Sequence, residues 1–140
     1  MRMLVRLIMI IATAAGAVSA QDTDVEHGRD LFLCFCAECH GKDAASMGPL
    51  AELLAIDPPD LTELTARNRG AFPIEAVAKQ IDGRIAIEPH SYMPVFGPSL
   101  EGDQFVSFAL PSGQPMMIAQ PLANLMTYLR SAQSQADKLE

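Results

Sequence analysis

Three cysteines within six residues constrain this chain of 140 residues more than any other feature of its sequence. They are Cys34, Cys36 and Cys39, and His40 follows the last of them directly. Because their number is odd, they cannot all pair in disulfide bonds within one chain. We therefore expect the chemistry of the protein to lie at this one segment.

The run Cys36-x-x-Cys39-His40 matches the attachment signature of c-type haem. Two thiols three residues apart near a helix end can reach the two vinyl groups of one porphyrin, and the next residue then presents an imidazole to the iron as its proximal ligand. Because cysteine and histidine are scarce, such a run arises by chance in roughly one chain in a thousand. The spacing predicts one covalently bound haem c, held by these three residues.

Three other interpretations stay open at this stage. A thioredoxin-like redox pair would follow a β-strand, whereas this motif lies at the end of a predicted helix. A zinc site would need four ligands, which Cys34, Cys36, Cys39 and His40 supply on paper, although one short segment wraps a tetrahedron with difficulty. A disulfide between Cys36 and Cys39 suits an exported protein but leaves the histidine without a role.

Residues 1–20 have the layout of a secretory signal peptide, with a basic start at Arg2 and Arg6, an apolar run over residues 7–15 and small residues at the end. The apolar run is shorter than the about 20 residues that a membrane span needs. We therefore expect cleavage at the end of this segment and export to a bacterial periplasm, with residues 21–140 forming one domain. Retention of the segment as an anchor helix is the alternative.

The chain is acidic, with 10 lysines and arginines against 17 aspartates and glutamates and a net charge of −7. Cleavage of the signal peptide removes two arginines and leaves the domain more acidic still. Such a chain lacks the positive surface that holds nucleic-acid phosphates, so we expect no nucleic-acid partner. Its charge favours redox protein partners with a basic docking face, and we expect no stable membrane insertion after cleavage. No pair of carboxylates suggests acid–base catalysis, and we do not expect an enzyme.

Apolar residues recur at helical spacing in three segments of the domain: 28–35, 74–81 and 122–129. A capping box that begins at Thr23 introduces the first of these helices. Pro73 and Gly83 bound the second helix, and Pro121 begins the third. Two short apolar runs around a central turn predict a β-hairpin over residues 104–118. The pattern predicts a mainly helical, all-α domain with one small hairpin before the C-terminal helix.

Prolines mark two longer stretches as loops. The first, residues 41–59, ends in Pro58-Pro59, and the second, residues 88–102, contains three prolines. Asp60 follows the first loop directly and is expected to cap one or two short helical turns.

Five methionines follow the signal peptide and are candidates for the sixth position of a haem iron: Met47, Met93, Met116, Met117 and Met126. Two of them lie in the predicted hairpin and one on the apolar face of the last helix, where methionine packs as core. Met47 lies only seven residues past His40, too near to cross to the opposite face of the ring. Met93 lies in a proline-rich loop, where Pro94 keeps it out of helical geometry, so Met93 is the predicted ligand. His90, His27 and an open sixth position are the alternatives.

With these motifs, the chain resembles the class I mono-haem c-type cytochromes. Three stretches carry the resemblance: Gly28-x-x-Leu31-Phe32-x-x-x-Cys36-Ala37-Glu38-Cys39-His40-Gly41, Met93-Pro94-Val95-Phe96-Gly97 and Leu125-Met126-Thr127-Tyr128-Leu129. The resemblance implies the cytochrome c fold, in which helices wrap around one covalent haem and Tyr128 packs across Gly28 and Phe32. It also implies that the carbonyl of Pro49 lies near the His40 ring and fixes the imidazole.

The resemblance further implies a soluble one-electron carrier, with iron held by His40 and Met93, that passes electrons between respiratory or dehydrogenase partners. One alternative is a haem protein whose distal ligand leaves, so that it senses small ligands or acts as a peroxidase. Another is a dedicated electron-accepting subunit of a dehydrogenase complex. Aromatic side chains at five positions are expected to pack around the haem: Phe32, Phe35, Phe72, Tyr92 and Phe96.

Two features depart from the plain pattern of the family. The hairpin lengthens the stretch between the distal ligand and the last helix, and we expect it to form a flap beside the haem. Cys34 is the other departure, because its pairing with Cys39 would leave four intervening residues in place of two. We expect Cys34 to be a buried, inert thiol, with a Cys34-linked disulfide dimer as the alternative.

Overall fold

The computed structural model describes residues 20–45, 47–83, 93–110 and 112–133. The α-helices are α1 (Ala20–Phe35), α2 (Ala37–His40), α3 (Leu64–Arg67), α4 (Ile74–Asp82) and α5 (Gln120–Ser131). Three short 3₁₀ helices lie at Ala51–Leu53, Leu61–Glu63 and Gly97–Leu100, and the strands are β1 (Phe105–Ala109) and β2 (Pro115–Ala119). Within these described ranges, no helix is long and apolar enough to cross a membrane.

The N-terminal and C-terminal helices, α1 and α5, cross at Gly28. A Cβ atom added to Gly28 would lie 2.0 Å from the carbonyl oxygen of Asn124 and 2.8 Å from the Cβ of Tyr128, so only glycine allows the two backbones to approach this closely. One turn further along α1, the rings of Phe32 and Tyr128 lie 5.2 Å apart between centroids. The expected packing of Tyr128 across Gly28 and Phe32 is confirmed.

The core is built around this crossing. Its largest fully buried side chains come from α1, α5 and the 3₁₀ helix at 97–100: Phe32, Leu100, Leu125 and Met126. Met126 is 0% exposed, which confirms its interpretation as a packing residue. Burial of such side chains removes apolar surface from water at roughly 25 cal/mol per Å², so these residues contribute most to holding the helices together.

The helix boundaries agree with the sequence signals at α4 and α5 but not at α1. Pro73 directly precedes α4, and Gly83 ends it in the left-handed conformation (φ 71°) with its N–H donated to the carbonyl of Lys79. Pro121 lies in the first turn of α5, as expected. The expectation of a cap at Thr23 is wrong: α1 is already helical at Ala20, so Thr23 lies within the helix.

The predicted hairpin is confirmed, with strands that differ by one residue from the expected bounds. β1 and β2 pair in antiparallel register from Phe105 opposite Ala119 to Ala109 opposite Pro115. Alternate side chains on one face pack against the core: Val106, Phe108, Met116 and Ile118. The hairpin therefore covers part of the core beside α5. Its relation to a haem, and the assignment of the whole domain to the cytochrome c fold, stay predictions.

Replacement of Gly28 by alanine should destabilise the protein by about 2 kcal/mol or more, because overpacking at the α1–α5 crossing outweighs the better helix propensity of alanine. Urea denaturation followed by circular dichroism measures this loss of unfolding free energy. The matched control is Arg29→Ala, at an exposed neighbour on the same helix, which should stay within about 0.5 kcal/mol of the parent protein. Equal stability of the two variants would contradict the role assigned to Gly28.

Candidate functional site

The predicted haem motif lies where α1 passes into α2. Cys36 separates the two helices, and hydrogen bonds continue through it: its N–H donates to the carbonyl of Phe32 at 2.8 Å, and the N–H of His40 donates to the carbonyl of Cys36 at 2.9 Å. The motif therefore keeps helical spacing. Residues three and four apart share a helix face, so Cys36, Cys39 and His40 present their side chains on one side of this turn.

The thiols of the motif differ in environment. Cys36 is buried and Cys39 is half-buried, and neither forms a disulfide bond. Burial raises the pKa of the Cys36 thiol to about 12, and the nearby Cys39 and Cys34 thiols add to the shift. Cys36 is therefore a protonated thiol at neutral pH. Among the described residues, no three or more His, Cys, Asp or Glu side chains form a group that could hold a metal ion.

Cys34 is exposed, so the expectation of a buried, inert thiol is wrong. An α-helix turns by about 100° per residue, and two residues therefore separate Cys34 from Cys36 by about 200° around the axis. Since Cys36 faces the interior, Cys34 faces solvent.

The imidazole of His40 is oriented by a backbone carbonyl. Its Nδ1 lies 3.3 Å from the carbonyl oxygen of Pro59. Burial lowers the pKa of His40, while the bond to Pro59 acts in the opposite direction. A carbonyl can only accept, so in the neutral ring Nδ1 carries the proton and Nε2 keeps its lone pair. That is the protonation state that a metal ligand requires.

The carbonyl that holds His40 belongs to Pro59, so the expectation of Pro49 in this role is wrong. The segment around Pro49 is used for another contact: the N–H of Gly48 donates to the carbonyl of Cys39 at 3.0 Å, and that of Leu50 donates to Glu38 at 2.8 Å. Pro49 thus lies in a turn that folds back on the backbone of α2.

Asp60 holds the turn that follows Pro59 in place. The Asp60 carboxylate accepts a hydrogen bond from the N–H of Thr62 at 2.8 Å and one from its hydroxyl at 2.7 Å, which confirms Asp60 as a cap. The N–H of Leu61 donates to the carbonyl of Ala44 at 2.9 Å and ties this turn to the loop after α2. The sequence marks Pro59 only as a proline with fixed φ directly before a helix cap, and this pattern does not indicate that its carbonyl contacts His40.

Met93, the predicted sixth ligand, is half-buried and packs against the core. Its thioether Sδ accepts a hydrogen bond from Nε2 of Gln80 on α4, at 3.9 Å. Three residues further on, the ring of Phe96 lies 6.1 Å from that of Phe35, which directly precedes the motif cysteine. This ring pair brings the chain near Met93 next to the chain near Cys36.

The other candidates from the sequence lie elsewhere or outside the description. Met47 and His27 are exposed, at the loop after α2 and on α1 respectively. Phe32 is fully buried against α5, whereas Phe72 is half-buried at the edge of the core. The remaining candidates fall outside the described residues: His90, Tyr92 and the expected signal peptide apart from Ala20.

The chemistry of the donor set fits a c-type haem. Cys36 and Cys39 supply two thiols on one helix face, and His40 supplies a neutral imidazole with its Nε2 lone pair available. Met93 supplies a thioether, and Phe35 and Phe96 add a half-buried apolar surface between the two segments. Comparison of the chain with protein-family models, with curated proteins and with solved structures gives no match. The functional argument therefore rests on these residues.

Because the Cys34 thiol is exposed, we expect air-oxidised protein to form a disulfide-linked dimer. Electrophoresis without reductant should show a band at twice the monomer mass, which reductant or the substitution Cys34→Ser removes. Identical migration of the parent protein and Cys34→Ser under both conditions would contradict the dimer.

Proposed function

We propose that this protein is a soluble one-electron carrier with a single covalently attached haem c. The observation that carries the proposal is the environment of His40, which directly follows the Cys36-x-x-Cys39 pair, is buried and is held through Nδ1 by the Pro59 carbonyl. A buried structural histidine would also need a hydrogen-bond partner for its ring, but the Cys36-x-x-Cys39 pair directly before His40 is what a proximal haem ligand requires and a structural histidine does not.

The two cysteines serve as covalent anchors. They share one helix face with His40, so attachment at both thiols would hold a flat group against that face and fix its distance from the imidazole. When bound, the haem supplies an iron that alternates between the ferric and ferrous states. Cys36 would hold the group from a buried position and Cys39 from a half-buried one.

The Pro59 carbonyl has three effects on His40. It fixes the tautomer, so that Nε2 is always the ligating nitrogen, and it holds the ring plane against rotation. By accepting a hydrogen bond from the Nδ1–H group, it also makes the imidazole a stronger electron donor. Together these effects would favour an iron that keeps the same ligands when it changes oxidation state, as a carrier requires.

Met93 is the proposed sixth ligand. Its thioether is a soft donor, and a Met/His ligand pair raises the reduction potential of a haem iron. A filled sixth position leaves no site for a substrate, which favours electron transfer over small-ligand chemistry. The acidic charge of the chain supports docking to basic redox partners, with association rates that fall as salt is added. Export to the periplasm would place these partners among respiratory or dehydrogenase proteins.

The covalent haem is tested by mass and thiol count together. We expect protein made in a bacterium able to attach haem to begin at Gln21, to carry the mass of one haem and, after reduction and denaturation, to show one alkylatable thiol, that of Cys34. The variant Cys34→Ser should show none. Three alkylatable thiols and no visible absorption in the parent protein would contradict the proposal.

The distal ligand is tested by a pair of methionine variants. Met93→Ala should lose the long-wavelength absorption band of ferric iron bound to a thioether, and its ferrous form should bind carbon monoxide. Met47→Ala, at an exposed methionine, should keep the band and bind none, as should the parent protein. Carbon monoxide binding by the untreated parent protein would instead support a sensor or peroxidase. Isolation in a fixed ratio with a larger enzyme would support a dehydrogenase subunit.

A further inference from the structure

The segment that contains Met93 packs against the last turn of α4. The N–H of Phe96 donates to the carbonyl of Ile81 at 3.0 Å. That carbonyl lies in the last turn of the helix, where carbonyls have no partner within the helix. The loop therefore satisfies a backbone group that α4 leaves open.

Two glycines allow this contact to be close. A Cβ atom added to Gly97 would lie 2.5 Å from the carbonyl oxygen of Asp82, and one added to Gly83 would lie 2.6 Å from the side chain of Val95. Such distances leave no room for a side chain at either position. The backbone after Met93 and the end of α4 thus form one packed unit, and residues on this part of the helix are held at a defined distance from Met93.

Gln80 lies in this part of α4. Its side chain is half-buried, and its amide Nε2 donates to the Met93 Sδ at 3.9 Å. A thioether sulfur has two lone pairs, so one can accept the amide hydrogen while the other remains for a metal.

We propose that Gln80 positions the Met93 thioether and tunes it to favour the reduced iron, an inference that rests on the proposed function of Met93 as the sixth ligand. The amide N–H withdraws electron density from the sulfur and makes it a weaker donor. Ferric iron loses more from a weaker donor than ferrous iron does, so the hydrogen bond stabilises the reduced state relative to the oxidised state. Residues that hydrogen-bond to a metal ligand change the reduction potential of the metal in this way without contacting the metal itself.

The proposal is tested on the haem-loaded protein with Gln80→Leu, which removes the donor and keeps an apolar side chain of similar bulk. We expect the equilibrium constant for reduction to fall about threefold, which at 59 mV per tenfold for one electron is about 30 mV. Gln80→Asn keeps the amide on a shorter side chain, and its reduction potential should lie between those of Gln80→Leu and the parent protein. Gln114→Leu makes the same change at an exposed hairpin position and should leave the potential unaltered.

Potential, the thioether absorption band and thermal unfolding are measured for each protein. A lower potential in Gln80→Leu with the band retained supports the tuning role, and loss of the band that Gln80→Asn restores supports the positioning role. An unchanged potential in Gln80→Leu with the band intact overturns the inference and leaves the proposed function standing. Loss of the band in both Gln80→Leu and Gln80→Asn also overturns the inference, because the amide of residue 80 would then not be what positions Met93. A parent protein without the band contradicts Met93 ligation itself.

Discussion

The close approach of α1 to α5 at Gly28 is the contact on which the rest of the structure depends. Because the two backbones meet there without an intervening side chain, the direction of α1 is set by α5 and by the ring pair of Phe32 and Tyr128. α1 then runs directly into Cys36 through continuous hydrogen bonds. The position of the motif is thus a consequence of helix packing, because the helix that leads into it is fixed in the close-packed core.

The His40 side of the proposed site is held by hydrogen bonds from a loop. The imidazole needs an acceptor on Nδ1, and the acceptor is a backbone carbonyl whose residue, Pro59, has a fixed φ. The Asp60 cap and the Leu61 N–H then hold the neighbouring residues. Three interactions, each worth about 1 kcal/mol, thus orient the imidazole of His40: the hydrogen bond to Pro59, the Asp60 cap and the hydrogen bond of the Leu61 N–H. Because burial also lowers the pKa of this histidine, the neutral form that binds metal is the form that the fold favours.

Sequence reasoning succeeded where the signal is local. Helix ends at Gly83 and Pro121, the cap at Asp60 and the hairpin are short-range patterns, and the structure has them within about a residue. Sequence reasoning failed where tertiary contacts decide which residue contacts which. Pro49 and Pro59 both lie in the loop after the motif, and only the turn of Gly48 onto α2 shows that Pro49 is used elsewhere. The cap expected at Thr23 failed for a different reason, since a capping pattern cannot exclude a helix that begins earlier.

The two sides of the proposed iron site differ in how far they could be predicted, and the difference is physical. Cys36, Cys39 and His40 lie within one helical turn, so their spacing alone brings the side chains together. Met93 was reached by elimination among five methionines, because its position depends on a loop that packs against the far end of α4. Its hydrogen bond from Gln80 follows from that packing and leaves no pattern in the sequence. The arrangement of Cys36, Cys39 and His40 can therefore be predicted from spacing alone, whereas the position of Met93 depends on contacts with α4 that only the folded chain supplies.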